Sequence, residues 1–482
     1  MRSATPFIAL SLLLLAARSL YAGNFKDYGS LSSHLISGGV AKDGIPAMTN
    51  PLFVDPSQIT YVGEEDLVLG VVVNGEARAY PENLGWWHEI INDRIGDRAV
   101  SVTLCPLTGT GLVFNATDTD GSQIEFGVSG LLINSNLVMY DRRDNTTLYP
   151  QMIFTGISGS FKDQQLELLP VVETTWAMWK RLHPDTRVAQ FGTGLDRYSE
   201  FLRSNYFLSR YTTYPYGDYR GNHGDLFLFV EPTATPDLSV LQAKEVVLGL
   251  CREGQAKAYP FRDLPDRAVV NDVVGSTSVL VLFDRLSHTA IPYNRVVAGQ
   301  TLSFYAVEPE GNLPVEFKDV ETGSRWSLLG QAIAGPLQGE HLDQLPAYNS
   351  MWFAWATYWA DTQVWGGEGI LDQVPQTAVE EERAAVVPGS FLLEQNFPNP
   401  FNPITQIRYT LPEAGQVQLA IYTTTGQQVR TLVDTVQDRG FYQLTWDGLD
   451  AAGSPVASGT YVYQLDMPQQ RLSQTRTMTL LR

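Results

Sequence analysis

A cysteine at the end of an apolar run, followed by proline and a glycine turn, is the strongest chemical signal in this chain. Cys105-Pro106-Leu107-Thr108-Gly109 lies a short way after Trp86-Trp87-His88-Glu89, which supplies an imidazole and a carboxyl. A thiolate at such a turn could be a nucleophile, or a ligand to a transition metal ion, if a nearby positive charge lowered its pKa. His88 could supply that charge or act as the second ligand. His88 and Cys105 are therefore the candidate catalytic pair and the candidate metal ligands. A zinc-type site needs three or four ligands, and the chain has six histidines and two cysteines. His183 and the acids Glu89, Asp93 and Asp141 would have to complete such a site, with no Cys-x-x-Cys or His-x-x-x-His spacing to support it. Two other readings stay open: a buried structural thiol with a hydrogen-bonded imidazole, and a disulfide between Cys105 and Cys251.

Further polar residues near this turn are candidates for ligand contact: Glu89, Asn92, Asp93, Thr108, Ser129, Asn134 and Asp141. Asn92-Asp93 returns as Asn271-Asp272, and side-chain bonds to local backbone would explain the pair as well as ligand contact would. Ser129, in Gly127-Val128-Ser129-Gly130, lacks the second spacer of a nucleophile elbow, and no triad order follows it. Tyr216 and Tyr219 belong to an aromatic connection with Tyr198, Phe201, Tyr206, Phe207, Tyr211 and Tyr214. That connection reads either as glue between two halves or as a groove that stacks sugars.

The elements that position these groups come in two copies. Val68-Leu69-Gly70 through Ala79-Tyr80-Pro81 returns as Val247-Leu248-Gly249 through Ala258-Tyr259-Pro260, and Asn92-Asp93 as Asn271-Asp272. Trp176 and Trp179 return as Trp352 and Trp355. Such a long period means a duplicated domain rather than a stacked array. Each copy opens on a hairpin, about Asn74-Gly75 or Glu253-Gly254. In the first copy a helical segment over residues 82–93 follows, then strands over 99–104, 112–116, 123–127 and 137–140. Aromatic helices over 174–182 and 350–359 close the copies. In this register His88 stands where the second copy has Arg267, Cys105 where it has Asp284, and Thr108 where it has Ser287. Only the first copy keeps the reactive pair.

At 482 residues, with 44% hydrophobic and 11% aromatic content, the chain reads as several folded domains. Its net charge of −19 excludes a nucleic-acid partner and fits poorly with an anionic membrane surface. Arg2 and the apolar residues 7–16 read as a secretory signal, residues 1–22, cut before Gly23; a retained anchor is the alternative. No later run is long enough to span a bilayer, so the mature chain carries no expected transmembrane segment. Residues 23–235 form the first copy with its aromatic connection, and 236–370 the second. Residues 371–390 are an acidic, proline-containing linker. Residues 391–482 read as short strands between Gly- and Asp-rich turns, an Ig-like β-sandwich. The predicted class is mainly β with short helices (α+β): a duplicated β-rich module followed by that sandwich.

The last ninety or so residues resemble the C-terminal sorting domains of the type IX secretion system. The likeness rests on Asn396-Phe397-Pro398-Asn399-Pro400, Gly426-Gln427-Gln428-Val429, Thr445-Trp446-Asp447-Gly448 and Ala457-Ser458-Gly459-Thr460-Tyr461. It implies the type IX machinery as partner, acting through residues 391–482, and a secreted or outer-membrane surface location. The duplicated module, residues 45–366, resembles the domain-of-unknown-function 3179 family through Trp87-His88-Glu89-Ile90-Ile91-Asn92-Asp93, Cys105-Pro106-Leu107-Thr108-Gly109, Met139-Tyr140-Asp141-Arg142 and His183-Pro184-Asp185-Thr186. That resemblance implies no activity. Many members have cysteine where Thr108 stands, so dithiol chemistry is not expected here. The expectation is an extracellular binding or structural module for a glycan or small molecule, the alternative a thiol- or metal-dependent enzyme using Cys105 and His88.

Overall fold

The computed structural model describes residues 32–190, 209–221, 240–311, 313–366, 391–393, 396, 401, 403, 405–438 and 440–481. The expected leader, the acidic linker, and Tyr198, Phe201, Tyr206 and Phe207 lie outside the described residues. The chain divides into two compact units, Met1–Pro375 and Gln376–Arg482.

In the first unit, β1 (Leu67–Val73) and β2 (Glu76–Pro81) form a hairpin about Asn74 and Gly75, at φ 50° and 82°. Positive φ at both central residues is what a type I′ turn requires. Then come α1 (Glu82–His88) and an antiparallel meander of β3 (Ile90–Ile95), β4 (Arg98–Cys105) and β5 (Thr110–Asn115). A second meander holds β6 (Phe126–Ile133), β7 (Asn136–Asp141) and β8 (Leu148–Pro150). Strand β9 (Val172–Thr175) returns to pair with β1, leads into α2 (Trp176–Leu182), and β10 (Arg187–Gln190) closes in parallel on β2.

The second copy repeats this plan with β11 (Val246–Arg252), β12 (Gln255–Pro260), β13 (Arg267–Val274), β14 (Thr277–Asp284) and β15 (Thr289–Asn294). It continues through β16 (Phe304–Val307), β17 (Glu316–Asp319), β18 (Arg325–Ser327), β19 (Tyr348–Met351), α3 (Trp352–Tyr358) and β20 (Gln363–Val364). Four strands keep the same order in both copies, β9-β1-β2-β10 and β19-β11-β12-β20, down to the parallel closing strand, and the first copy's sheet adds Leu52–Val54 beyond β10.

The repeated residues make repeated contacts. A Cβ on Gly70 would lie 2.1 Å from Trp179, and one on Gly249 2.0 Å from Trp355, so each glycine leaves room for a helix tryptophan against the strand. Those indoles donate to Thr186 Oγ1 at 2.8 Å and Thr362 Oγ1 at 2.9 Å. Asn92 takes the backbone N–H of Phe126 at 3.0 Å and donates to its carbonyl at 2.9 Å, and Asn271 does the same to Phe304 at 2.8 and 2.7 Å. Each asparagine thus finishes the edge of a strand that would otherwise bury unpaired peptide groups. The hydroxyls of Tyr80 and Tyr259 donate to Asp93 and Asp272, which also pair with Arg78 and Lys257.

The hydrophobic cores cross between copies. Trp176 and Trp179 pack with Leu280, Leu282 and Tyr293 of the second copy, and Trp352 and Trp355 pack with Leu107, Leu112 and Phe114 of the first. The N–H of Thr175, ahead of α2, donates to Ser287 O at 3.0 Å, and that of Met351, ahead of α3, to Thr108 O at 2.8 Å. Each closing helix therefore seats on the other copy's β-turn.

Helix α1 stops at His88, short of the expected residue 93. Glu89 turns the chain at φ 57°, and the β-branched Ile90 and Ile91 then pair with β4. In the second copy residues 261–266 form turns where α1 would be. The third strand expected over 123–127 begins at Phe126.

The second unit is an Ig-like sandwich. Leu392–Leu393, β21 (Thr405–Leu411) and β24 (Gly440–Trp446) form one sheet. The other holds β22 (Gly415–Thr423), β23 (Gln428–Gln437), β25 (Gly459–Met467) and β26 (Leu472–Leu480), in the order β23-β22-β25-β26. Trp446 is fully buried between them and donates to Leu449 O at 2.9 Å. Among the described residues no helix is long and apolar enough to cross a membrane.

Candidate functional site

Strand β4 is buried along nearly its whole length and delivers Cys105 to the turn that leads into β5, with Gly109 at φ 61°. The carbonyls of the turn are all engaged. Thr108 N–H donates to Cys105 O at 3.3 Å, Tyr214 Oη to Pro106 O at 2.8 Å, Tyr219 Oη to Leu107 O at 3.0 Å, and Met351 N–H to Thr108 O. The Thr108 hydroxyl enters a fully buried network. It lies 2.6 Å from Thr110 Oγ1 and accepts from Asn136 Nδ2 at 3.0 Å, while Gln151 bridges Thr110, Asn136 and Thr103. Its bonds fix one conformation of the turn, although Asn136 Oδ1 is buried in it without a partner among the described residues.

The Cys105 thiol is 1% exposed and points to Ser135 O at 3.6 Å. Burial first, and the neighbouring Glu89 carboxyl second, push it up to about 11, against the help of Thr108 and the Leu137 N–H. Both cysteines are free and buried, so the pairing of Cys105 with Cys251 does not form.

Glu89 is the least ordinary residue here. It caps α1 at φ 57° and ψ −33°, a costly conformation for a residue with a Cβ. Its N–H donates to Gly85 O and its carbonyl accepts from Leu104, so the backbone is held at both ends. The side chain is 7% exposed. Burial raises its pKa to about 8, so near neutrality it is mostly the neutral acid, able to donate. Tyr216 lies close enough for both Glu89 and Cys105 to raise its pKa, behind burial as the main cause.

The turn thus gathers Glu89, Cys105, Thr108, Tyr216 and Tyr219 from the sequence-derived candidates, with Asn134 in the β6–β7 turn beside Ser135. The remaining candidates lie elsewhere or are otherwise engaged. His88 is engaged by other groups: its Nδ1 lies 2.7 Å from Pro46 O, its Nε2 2.8 Å from Tyr211 Oη, and its ring stacks on Tyr211. Asn92 and Asp93 make the strand contacts described above. Ser129 Oγ donates to Val138 O at 2.5 Å and accepts from Leu131 N–H. Asp141 is fully buried against Arg143 at 2.6 Å. Among the described residues no group of three or more His, Cys, Asp or Glu side chains is arranged to hold a metal ion.

Sequence reasoning missed a second polar group beside the tyrosines. Glu82 is buried and pairs with Arg220 at 3.0 Å, and that guanidinium lies over the rings of Tyr214 and Trp86 at 4.7 and 5.6 Å. It also missed Asn136 and Gln151. Nothing in a lone sequence says that an Asn or Gln is buried.

Comparison with known proteins places two regions. The family model described as "Protein of unknown function (DUF3179)" matches residues 42–362, and the FlgD Ig-like domain model matches residues 404–469. No curated protein matches the chain. Among solved structures, FlgD from P. aeruginosa is 22% identical over 16% of this chain and 59% of its own, with a TM-score of 0.14. This chain therefore spans less than two thirds of that relative's length. Dimeric latent PorU from Porphyromonas gingivalis is 13% identical over 44% of this chain and 19% of its own, at TM-score 0.18. PorZ, titled a surface component of the type-IX secretion system of the same organism, is 10% identical over 87% of this chain and 57% of its own, at TM-score 0.15. Likenesses this slight carry no argument about this chain.

Proposed function

The chain belongs to the DUF3179 family of proteins of unknown function, and from that premise we propose that it is an exported extracellular binding module. The ligand site we assign to the first copy is the Cys105 turn with Glu89 and the covering tyrosines, and its ligand is a neutral polyhydroxylated molecule, a sugar ring. The observation that carries this reading is Glu89: a buried carboxyl that its burial keeps mostly protonated, on a strained backbone beside aromatic rings. A neutral acid suits hydrogen bonding to hydroxyls, and the half-buried Tyr216 ring suits the apolar side of a sugar. The alternative, a thiol- or metal-dependent enzyme using Cys105 and His88, has less support. Its thiol is held protonated and its imidazole is engaged by Pro46 and Tyr211.

Calorimetric titration of the full chain with a panel of soluble oligosaccharides tests the site. Saturable binding that Glu89→Ala and Tyr216→Ala both weaken supports it, and no heat from any member of the panel removes it. For the route, we propose that residues 391–482 are the address read by a type IX machinery, which leaves the protein secreted or at the outer-membrane surface. The support is the four motifs quoted above. A reporter carrying a signal peptide and these residues should appear outside a type IX-competent cell, and should stay in the periplasm when they are deleted.

A further inference from the structure

The second copy's counterpart of the Cys105 turn is open. Asp284-Arg285-Leu286-Ser287 stands where the first copy has Cys105-Pro106-Leu107-Thr108, and there it borders a cavity of about 550 Å³ beneath the first copy's helix α2. Two differences account for the opening. In the first copy Tyr214 and Tyr219 close over the turn and Leu107 is 4% exposed, whereas the equivalent Leu286 is 80% exposed. The helix above also differs: Ala177 lines this cavity at the position where α3 buries Phe353 against the first copy.

The charges in the cavity are what point to a ligand. Asp284 is 1% exposed. Its Oδ2 accepts from the Ser287 hydroxyl and N–H, while Oδ1 is buried with no hydrogen-bond partner. An unsatisfied buried carboxylate oxygen is costly unless a donor comes to it. Arg267, directly across the β13–β14 ladder from Asp284, lines the same cavity with an exposed side chain, as do the charged Glu65, Arg181 and Glu308. Met178, Leu286 and Leu313 supply apolar wall, and no lining residue is aromatic, which disfavours a stacked sugar.

We propose that this pocket binds a zwitterionic α-amino acid with an apolar side chain, its ammonium on Asp284 Oδ1 and its carboxylate on Arg267. The volume lies within the range usual for small-molecule sites. A guanidinium suits a carboxylate by its paired donors. The inference does not rest on the first-copy site, since it uses different residues and a different ligand.

The test is calorimetric titration of the full chain with L-leucine, N-acetyl-L-leucine and L-leucinamide, all at up to millimolar concentration. Leucine should saturate one site. Each capped analogue removes one charge and should bind roughly tenfold more weakly or worse, the loss expected for one charge-assisted hydrogen bond. Asp284→Asn keeps an acceptor for Ser287 and Arg267→Gln alters an exposed side chain, so both should melt like the parent while losing leucine affinity by a similar factor. The proposal is overturned if leucine gives no saturable heat, if the capped analogues bind as well as leucine, or if well-folded variants bind it unchanged.

Discussion

Glu173 and Asn349 each stand three residues before the first tryptophan of a closing helix, and they hydrogen-bond to each other, Asn349 Nδ2 donating to Glu173 Oε1 at 3.0 Å. A residue bonded to its own counterpart marks a local two-fold axis between the copies. His288 comes within 3.7 Å of the same carboxyl, but burial lowers its pKa to about 4, so it brings no charge near neutrality. Burial first, and Glu82 second, raise the Glu173 pKa well above the usual carboxyl range.

The two buried acids predict the direction of pH dependence. Glu89 and Glu173 both have folded-state pKa values above the ordinary 4.5, the former reaching about 8. Their contribution to stability is therefore full below about pH 4.5, falls as pH rises to about 8, and is flat beyond that. Glu89→Gln and Glu173→Gln should each flatten this slope. They should match the parent at pH 5 and exceed it at pH 9 by on the order of a few kcal/mol. Denaturant midpoints across that range decide it, and an unchanged slope counts against both assignments.

The tryptophan seats predict strong coupling. Gly70→Ala and Gly249→Ala should each cost about 3 kcal/mol or more, because the added carbon meets an indole that cannot move aside. In a double-mutant cycle, Gly70→Ala with Trp179→Ala should cost clearly less than the sum of the singles. Additive losses would mean that strand and ring are not in contact.

The asparagine clamps predict a local effect. Asn92→Ala leaves a buried N–H and carbonyl of Phe126 without partners and should destabilise by roughly 2–4 kcal/mol. Amide exchange at Phe126 should accelerate more than at strands remote from it, and uniform acceleration would argue against the clamp.

Thiol reactivity gives the simplest check. Neither cysteine should react with a disulfide reagent in the native protein at pH 7.5, since burial pushes Cys105 up to about 11 and Cys251 up to about 12. Both should react once it is unfolded. Rapid native labelling of Cys105 would restore the thiol-enzyme reading.

Much of this architecture was legible because duplication writes the same physical demand twice. Gly70 and Gly249, Asn92 and Asn271, and Trp179 and Trp355 recur because each meets the same steric or hydrogen-bonding need in both copies. Strand β4 is legible from its apolar run, and the tyrosine connection from composition. What stayed hidden depends on contacts distant in sequence. The end of α1 at His88 is set by the turn at Glu89 and the pairing of Ile90 with Thr103, which no local propensity reveals. Adjacency in sequence suggested that His88 and Glu89 would act together. The reversal at Glu89 instead leaves the imidazole with Pro46 and Tyr211 and the carboxyl with the sulfur. The pocket beside Asp284 needed the crossing of helices between copies, which a linear comparison does not show.

The reciprocal seating of α2 on Ser287 and α3 on Thr108 has a consequence for how such a chain arises. Cut between the copies, each half would present an uncapped turn and an orphaned tryptophan helix, complementary to those of another molecule. The single chain thus holds its two like halves as a two-fold dimer would hold its subunits, each supplying the seat for the other's closing helix. With symmetry no longer enforced by identical subunits, one turn was free to be roofed by tyrosines while the other stayed open to solvent.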